Sequence, residues 1–360
     1  MFSGSYAPDD VIFLLKPVRI PNTPIEEKER LIQAGVKHYS EMITYEKPPS
    51  ARYMELFHRA FQSEKRRLAR HVLSLARYLH EQHKTTIVSL ARAGTPIGVL
   101  LVRALRELFH SVAYHYSVSI IRDRGIDTNA VQFILSRHDA KSVAFVDGWT
   151  AKGVIARELR KSVNDLNERW GVHLPEELYV VADIGGVASW AATMEDYLIP
   201  SSVLGATISG LVSRSILHRD AVNNGDFHAC LFYEEMRSHD MSQWFVDAMV
   251  NEMREVFEAG LLDVPTVTQN NKIACRQQMM EWLGRWSMRY GVRDSGHIKP
   301  GIGEATRVLL RRLPNRVIIR DIDEPAIEHV ISLAKEKSVK IEIDDSIPFK
   351  AVAIIEDING

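Results

Sequence analysis

The sequence is poor in cysteine, lacks a long apolar run and carries almost no net charge. Only Cys230 and Cys275 occur among 360 residues, which excludes a disulfide framework and a CxxC zinc pair and favours a reducing cytosol. No apolar run approaches the roughly 18 residues that span a bilayer. The first residues contain Asp9 and Asp10 and no basic segment, so a signal peptide is not expected. We predict a cytoplasmic protein without a membrane partner.

The balance of charge excludes two further classes. Lys and Arg number 45 and Asp and Glu number 46, a formal net charge of −1. The chain is therefore neither a globally basic nucleic-acid binder nor an acidic disordered polypeptide. A local basic patch stays open, because net charge does not say where the charges lie. Hydrophobic residues make up 46% of the chain, which is typical of a globular protein, and the length predicts two domains.

Strand and helix patterns alternate in the middle of the chain. Short β-branched runs predict strands at 85–90, 112–121, 142–147 and 178–183, and amphipathic segments lie between them. This alternation predicts βαβ units and an α/β fold with a mostly parallel sheet flanked by helices. A composition shift begins a second, small α/β module near Asp294. We place a proline-rich arm at 1–50, the main domain at 51–290 and the small domain at 295–360.

The segment VAFVDGWTAKG joins an acidic strand end to a short loop and a helix start. Glycines allow a tight turn whose N–H groups point inward, and the helix N-terminus adds partial positive charge. The segment predicts a phosphate cradle in which Asp147 holds ribose hydroxyls or Mg²⁺. The alternative is a βα turn that merely requires glycine. The cradle residues are Gly148, Trp149, Thr150, Ala151, Lys152 and Gly153.

SLARAGTPIG is a second segment of the same kind. The guanidinium of Arg92 is suited to bidentate contact with pyrophosphate, and Ala93, Gly94 and Thr95 supply backbone and hydroxyl donors. Loops that follow successive parallel strands face the same edge of the sheet. We therefore expect the two loops to form one ligand site.

These loops resemble those of type I phosphoribosyltransferases. SLARAGTPIG, IIRDRGID, FVDGWTAKG and DYLIPSSVLGATISGLVSR together resemble a family of bacterial phosphoribosyltransferase-like proteins of tellurite-resistance stress operons, which is also labelled "cysteine protease StiP". The resemblance implies binding of phosphoribosyl pyrophosphate (PRPP) with Mg²⁺ as cofactor, with Asp147 and Arg92 as catalytic residues. Phosphoribosyltransferases usually have a second acid after the first, whereas Gly148 follows Asp147 here.

The resemblance also implies roles for two neighbouring segments. Arg122, Asp123 and Arg124 lie in IRDRGID, which corresponds to a mobile hood over the site; the alternative is a solvated turn. Asp183 ends the strand before IGGVAS and is a candidate for contact with the acceptor.

Charge is segregated in the C-terminal module. Six basic residues and one acid lie in 299–320, whereas four basic and ten acidic residues follow in 321–360. The segment PGIGEATRVLL and the strand after it resemble the pelota and kink-turn-binding ribosomal protein family, which implies binding of structured RNA. Gly303 stands where that family has Asn. The predicted RNA-binding residues are Lys299, Gly301, Gly303, Glu304, Arg307 and Arg311.

We predict a PRPP-binding phosphoribosyltransferase that acts on a base-like acceptor, fused to an RNA-binding domain. The first alternative is a non-catalytic regulator that senses PRPP or a nucleotide and binds RNA, which the missing second acid favours. The second is a cysteine peptidase that uses Cys230 and His228, although a small buried cysteine is the favoured explanation of Cys230. The oligomeric state is open, and a dimer is plausible.

Overall fold

The computed structural model describes residues 2–262 and 267–358. The strands are β1 (Ile12–Leu14), β2 (Lys16–Pro17), β3 (Thr86–Leu90), β4 (Tyr114–Val118), β5 (Ile120–Ile121), β6 (Gly125–Ile126), β7 (Val143–Thr150), β8 (Leu178–Asp183), β9 (Trp190–Thr193), β10 (Ala229–Cys230), β11 (Ile298–Pro300), β12 (Pro314–Ile319), β13 (Lys340–Ile343) and β14 (Ala351–Ile355). The α-helices are α1 (Ile25–Gln33), α2 (Ala51–Glu81), α3 (Thr95–Glu107), α4 (Thr128–Leu135), α5 (Val154–Trp170), α6 (Ser242–Glu258), α7 (Gln269–Tyr290), α8 (Ile302–Arg311) and α9 (Glu328–Glu336).

A six-stranded sheet in the order β1-β4-β3-β7-β8-β9 forms the centre of the molecule. All of its pairings are parallel. All five residues of β3 are buried, as expected of a strand that is covered on both faces of a parallel sheet. Helix α2 packs on α3 and α6. The predicted mixed α/β fold with a parallel sheet is confirmed.

Two strands differ from their predicted bounds. The strand predicted at 142–147 continues to Thr150, because Trp149 and Thr150 pair with Ala182 and Asp183 of β8. Only 151–153 are left to turn the chain into α5. The single strand predicted at 112–121 is divided into β4 and β5, and β5 turns back against β6 as a short antiparallel hairpin.

The C-terminal module, formed by β11–β14 with α8 and α9, is a second sheet in the order β11-β14-β12-β13. Only the β12–β13 pair is parallel. All five residues of β14 are buried, and α8 packs on this strand. Within the described residues, no helix is both long and apolar enough to cross a membrane.

Candidate functional site

The two glycine loops identified in the sequence meet at one edge of the parallel sheet. Strands β3 and β7 are neighbours, so the loops that follow them lie side by side. A Cβ built on Gly94 would lie 2.9 Å from the carbonyl oxygens of Leu90 and Val146. Glycine is required there because the two segments pass too close for a side chain.

Asp147 is half-buried near the end of β7. Its Oδ1 accepts a hydrogen bond from the Gly148 N–H at 2.7 Å. Burial raises the pKa of this carboxyl to about 6, an effect that the charge of Arg307 partly offsets.

Gly153, at the start of α5, has φ +72°, and a Cβ there would lie 2.9 Å from the side chain of Val187. The turn into α5 therefore needs glycine for both conformation and space.

Two cations assigned to phosphates make contacts within the protein. Lys152 Nζ donates to the carbonyl oxygens of Ser295 at 2.6 Å and Ile298 at 2.8 Å. Arg92 is buried, with its Nη2 at 2.6 Å from Oε1 of Glu46 and its Nη1 donating to the Val212 carbonyl. Lys152 thus joins the parallel sheet to the C-terminal module, and Arg92 is neutralised by Glu46.

The predicted RNA-binding motif faces the parallel sheet. A Cβ on Gly303 would lie 2.6 Å from Cε2 of Trp149. The guanidinium of Arg307 lies 4.3 Å from the centre of the indole ring, and its Nη1 is 2.8 Å from Oε1 of Glu304. Gly301 is equally enclosed, because a Cβ there would lie 2.6 Å from Ile184. The motif and the loop after β7 therefore form one interface.

Asp196 belongs to this interface, and sequence reasoning missed it. Its two carboxylate oxygens accept hydrogen bonds from the N–H groups of Ile302 and Lys350, at 2.9 and 2.8 Å. Burial raises its pKa to about 6. The acid in MEDYLIP gives no local sign that it caps a helix more than a hundred residues away.

A cavity of about 360 Å³, here called the central cavity, lies between β7, the start of α5 and α8. Residues of β11 and α1 also line it. The cations that line it outnumber the acids by eight to two. They are Lys28, Arg122, Lys152, Arg214, Lys299, Arg307, Arg311 and Arg312, and the acids are Asp147 and Glu304.

The other predicted residues lie in this cavity, at the surface or in the core. Arg122 lines the cavity, whereas the guanidinium of Arg124 lies 3.6 Å from Glu41. Asp123 has φ +63° and lies in the turn of the β5–β6 hairpin. Asp183 is fully buried, and its carboxylate accepts from the N–H groups of Gly185 and Ala188. It therefore stabilises its own loop.

The surroundings of Asp147 do not fit a divalent cation. The other acid that lines the central cavity, Glu304, forms an ion pair with Arg307. The charges of Lys152 and Lys299 line the same cavity. No cluster of three or more His, Cys, Asp or Glu side chains suited to a metal occurs in the described part of the chain. The expected Mg²⁺ stays a prediction.

Cys230 and His228 are not brought together. Cys230 is fully buried in β10, and burial raises the pKa of its thiol far above the usual range. The Nδ1 of His228 lies 2.8 Å from the hydroxyl oxygen of Ser119, while its backbone N–H donates to Asp127. The imidazole is therefore engaged with Ser119 and not with the thiol.

Cys275 lies in a different environment. It is half-buried on α7, and it lines a cavity of about 100 Å³ together with Ile184, Asp196 and Phe349. Its Sγ lies 3.2 Å from the Ile184 carbonyl oxygen. Burial raises the thiol pKa to about 11, and the charge of Asp183 adds to the effect.

Two family models match the chain. The model described as "Tellurite-like stress resistance cysteine protease StiP" matches residues 4–250. The model described as "PELOTA RNA binding domain" matches residues 277–357. A protein of Acinetobacter baylyi named "Cysteine protease StiP" is 41% identical over 368 residues, which cover 99% of this chain and 94% of that protein.

Two solved structures are distantly similar to the chain. A purine phosphoribosyltransferase from Pyrococcus horikoshii is 18% identical, with a TM-score of 0.25, over 34% of this chain and 80% of its own. A hypoxanthine-guanine-xanthine phosphoribosyltransferase is 14% identical, with a TM-score of 0.23, over 47% of this chain and 92% of its own. At such scores, neither likeness supports a statement about this chain.

These findings overturn the predicted phosphoribosyltransferase activity, in which PRPP would be the donor. The relative and the family model are both named for a cysteine protease. The structure supplies a physical reason, since Arg92, assigned to pyrophosphate, is neutralised by Glu46. The resemblance to the stress-operon family and to pelota is confirmed. The chain belongs to the StiP family, and its C-terminal segment matches the PELOTA RNA binding domain.

Proposed function

We propose that the chain is a cysteine peptidase. The observation that carries the proposal is the 41% identity, along 99% of the chain, to a protein named "Cysteine protease StiP". In such an enzyme the cysteine sulfur attacks the peptide carbonyl carbon, and the C–N bond breaks as the amine leaves with a proton. Water then hydrolyses the thioester and releases the acid and the thiol.

Accessibility favours Cys275 as the nucleophile. A peptide must reach the sulfur, and Cys230 is fully buried in the hydrophobic core. Cys275 is half-buried and lines a cavity. Access to Cys230 would require β10 to leave β2, to which it is paired.

Cys275 must lose its proton before it can attack a peptide. With a pKa of about 11, the thiol is protonated at neutral pH, and the thiolate is the reactive form. In the described part of the chain, no histidine ring is hydrogen-bonded to either thiol. A base must therefore take the Sγ proton that now faces the Ile184 carbonyl.

The test compares the two cysteines in the purified chain. Wild type, Cys275→Ser and Cys230→Ser are incubated with fluorescently labelled casein, and cleavage is followed with and without iodoacetamide. We expect wild type and Cys230→Ser to cleave, and Cys275→Ser and the alkylated wild type to be inactive. Circular dichroism verifies that each variant is folded.

The remaining outcomes separate the alternatives. Loss of cleavage in Cys230→Ser alone would move the assignment to Cys230 and His228. Equal cleavage by the two folded variants, or none by wild type against casein and a mixed peptide library, would contradict the peptidase proposal.

We also propose that the C-terminal module binds structured RNA. The match to the PELOTA RNA binding domain over residues 277–357 supports this second function. Gly303 and Arg307 contact Trp149, so the indole covers part of the surface of α8 that an RNA would contact. Removing the indole is therefore expected to strengthen RNA binding.

Fluorescence anisotropy tests this expectation with a hairpin RNA that contains tandem G·A pairs, beside a fully paired hairpin. We expect Trp149→Ala to bind the first hairpin more tightly than wild type. Trp244→Ala, which removes a partly exposed tryptophan elsewhere, should bind like wild type. If neither wild type nor Trp149→Ala binds, this second proposal is wrong.

We propose that the parallel sheet is phosphoribosyltransferase-like, supported by the adjacent loops after β3 and β7. An experimental structure compared with phosphoribosyltransferases over the whole sheet tests it.

A further inference from the structure

Helix α7 has large apolar side chains on two opposite sides. Trp282 and Trp286 are buried against the rest of the protein. Ile273, Met280 and Met288, by contrast, are 45%, 73% and 78% exposed. The two methionines are the most exposed large apolar side chains in the part of the chain that the structure describes. Because a surface helix normally keeps its apolar side chains on the buried face, this second apolar side requires an explanation.

The exposed residues form one stripe, which we call the α7 stripe and define as Ile273, Met280 and Met288. Met280 follows Ile273 by seven residues, and Met288 follows Met280 by eight. Each interval is close to two turns of an α-helix, so the three side chains lie on the same face. Among residues 2–262 and 267–358, no segment covers this face. Apolar side chains grouped on an exposed face mark a surface that binds another molecule.

Two opposite charges border the α7 stripe. Glu281 and Arg285 lie about one turn apart on α7, and both are exposed. Glutamate followed by arginine at this spacing can form an ion pair along a helix. In the described part of the chain, however, neither side chain forms an ion pair or a hydrogen bond. Both charges are therefore available to a partner molecule.

A second copy of this chain is the partner that the charges fit. In a two-fold symmetric pair the same surface meets itself, and every contact occurs twice. When two α7 helices lie antiparallel and the axis passes midway between Glu281 and Arg285, each of these residues lies beside the other type in the second copy. The same arrangement places Met280 of both copies near the axis. Methionine is flexible enough to pack against such a surface without a preformed pocket.

We propose that the α7 stripe is a homodimer interface in which the α7 helices of two copies pack antiparallel. Contacts of Met280 and Met288 remove apolar surface from water and supply the affinity. Two Glu281–Arg285 ion pairs between the copies set the orientation of the helices. Because a single helix of each copy carries the contact, we expect a dissociation constant of about 1–50 µM. The interface involves neither Cys275 nor α8, so it is independent of peptidase activity and RNA binding.

Sedimentation velocity of the full chain, over concentrations from about 1 to 100 µM, measures the dimer. We expect wild type to pass from monomer to dimer over this range. Met280→Glu should weaken the dimer at least about tenfold, because it places a charge in the apolar contact. Val112→Glu is the matched control, since Val112 is 68% exposed and lies outside α7, and it should dimerise like wild type.

Exchange of the two charges tests the antiparallel arrangement. Glu281→Arg opposes two arginines at each end of the contact, and Arg285→Glu opposes two glutamates. Each variant alone should therefore dimerise at least about tenfold more weakly than wild type. An equimolar mixture of the two variants should form a heterodimer with an affinity near that of wild type, because opposite charges meet again. Circular dichroism verifies that each variant is folded.

Three results would overturn the proposal. A folded wild type that stays monomeric at about 100 µM would exclude a second copy and leave the stripe to a different protein. A wild-type dimer that Met280→Glu does not weaken would place the dimer contact on another surface. Weak self-association of both charge variants without recovery in their mixture would contradict the antiparallel pairing of Glu281 with Arg285.

Discussion

Gly303 of α8 lies directly against the indole ring of Trp149 at the end of β7. A Cβ on Gly303 would lie 2.6 Å from Cε2 of the ring and 2.8 Å from Nε1. The helix can approach the strand this closely only because the side chain is absent. The pelota family, which this segment resembles, has Asn at this position. Glycine here is explained by the contact with Trp149.

We expect Gly303→Ala to destabilise the protein by about 1–3 kcal/mol, the usual cost of overpacking. This loss should exceed the roughly 1 kcal/mol that alanine gains over glycine within a helix. Urea unfolding measures the difference. Gly284→Ala is the matched control, since Gly284 also lies in a helix but a Cβ there meets nothing within 4 Å. Equal stability of the two variants would show that the indole of Trp149 moves aside without a cost in stability.

Asp196→Ala is expected to weaken the attachment of the C-terminal module. The first residues of α8 have no side-chain cap of their own at Gly301, and Asp196 accepts from the Ile302 N–H in its place. Its other oxygen accepts from Lys350. Leaving these donors unpaired should cost about 1–3 kcal/mol of unfolding free energy.

Asp196→Asn keeps one acceptor oxygen and should fall between Asp196→Ala and wild type. Asp345→Ala removes an exposed carboxylate of the C-terminal module and should leave the stability unchanged. An effect of Asp196→Ala no larger than that of Asp345→Ala in urea unfolding would show that solvent replaces the cap.

The predictable part of this structure is local. Five consecutive buried residues in β3 and the glycines after β3 and β7 are visible as local sequence patterns, and they predict the parallel sheet and its two loops. The sequence does not predict which segments cover those loops. Arg92 pairs with Glu46, and Trp149 receives Gly303, through contacts between distant segments that no local pattern records. Arg92 and Trp149, which the sequence assigns to a ligand, therefore make structural contacts in the protein.

Arg312 and Glu29 form a buried link between the C-terminal module and α1. The Glu29 side chain is fully buried, and its Oε2 accepts from Arg312 Nη2 at 2.8 Å. We expect Arg312→Ala to cost about 3–5 kcal/mol, because it leaves a buried carboxylate without a partner.

A matched control for this ion pair exists on the surface. Arg59 and Glu328 also connect the two modules, but their side chains are 61% and 55% exposed. Arg59→Ala should change the unfolding free energy by about 0–1 kcal/mol. Chemical denaturation of both variants gives the comparison. Similar losses of unfolding free energy in the two would mean that the burial of Glu29 does not increase the cost of removing its partner.

The carboxyl of Asp147 should make stability depend on pH. Its pKa is raised to about 6 in the folded chain, first by burial, whereas an unfolded Asp titrates at about 3.9. Between these values the folded state binds more protons than the unfolded state, so this contribution to stability falls as pH rises through the window. Its ionised form therefore opposes folding above about pH 6.

Asp147→Asn removes this proton equilibrium. The variant should be more stable than wild type at pH 7.5, by about 1–2 kcal/mol after allowance for partial exposure, and the advantage should shrink towards pH 4.5. Asp345→Asn, at an exposed position, should show no such trend. Thermal and urea unfolding at both pH values measure it, and an advantage that grows on acidification would refute the assignment.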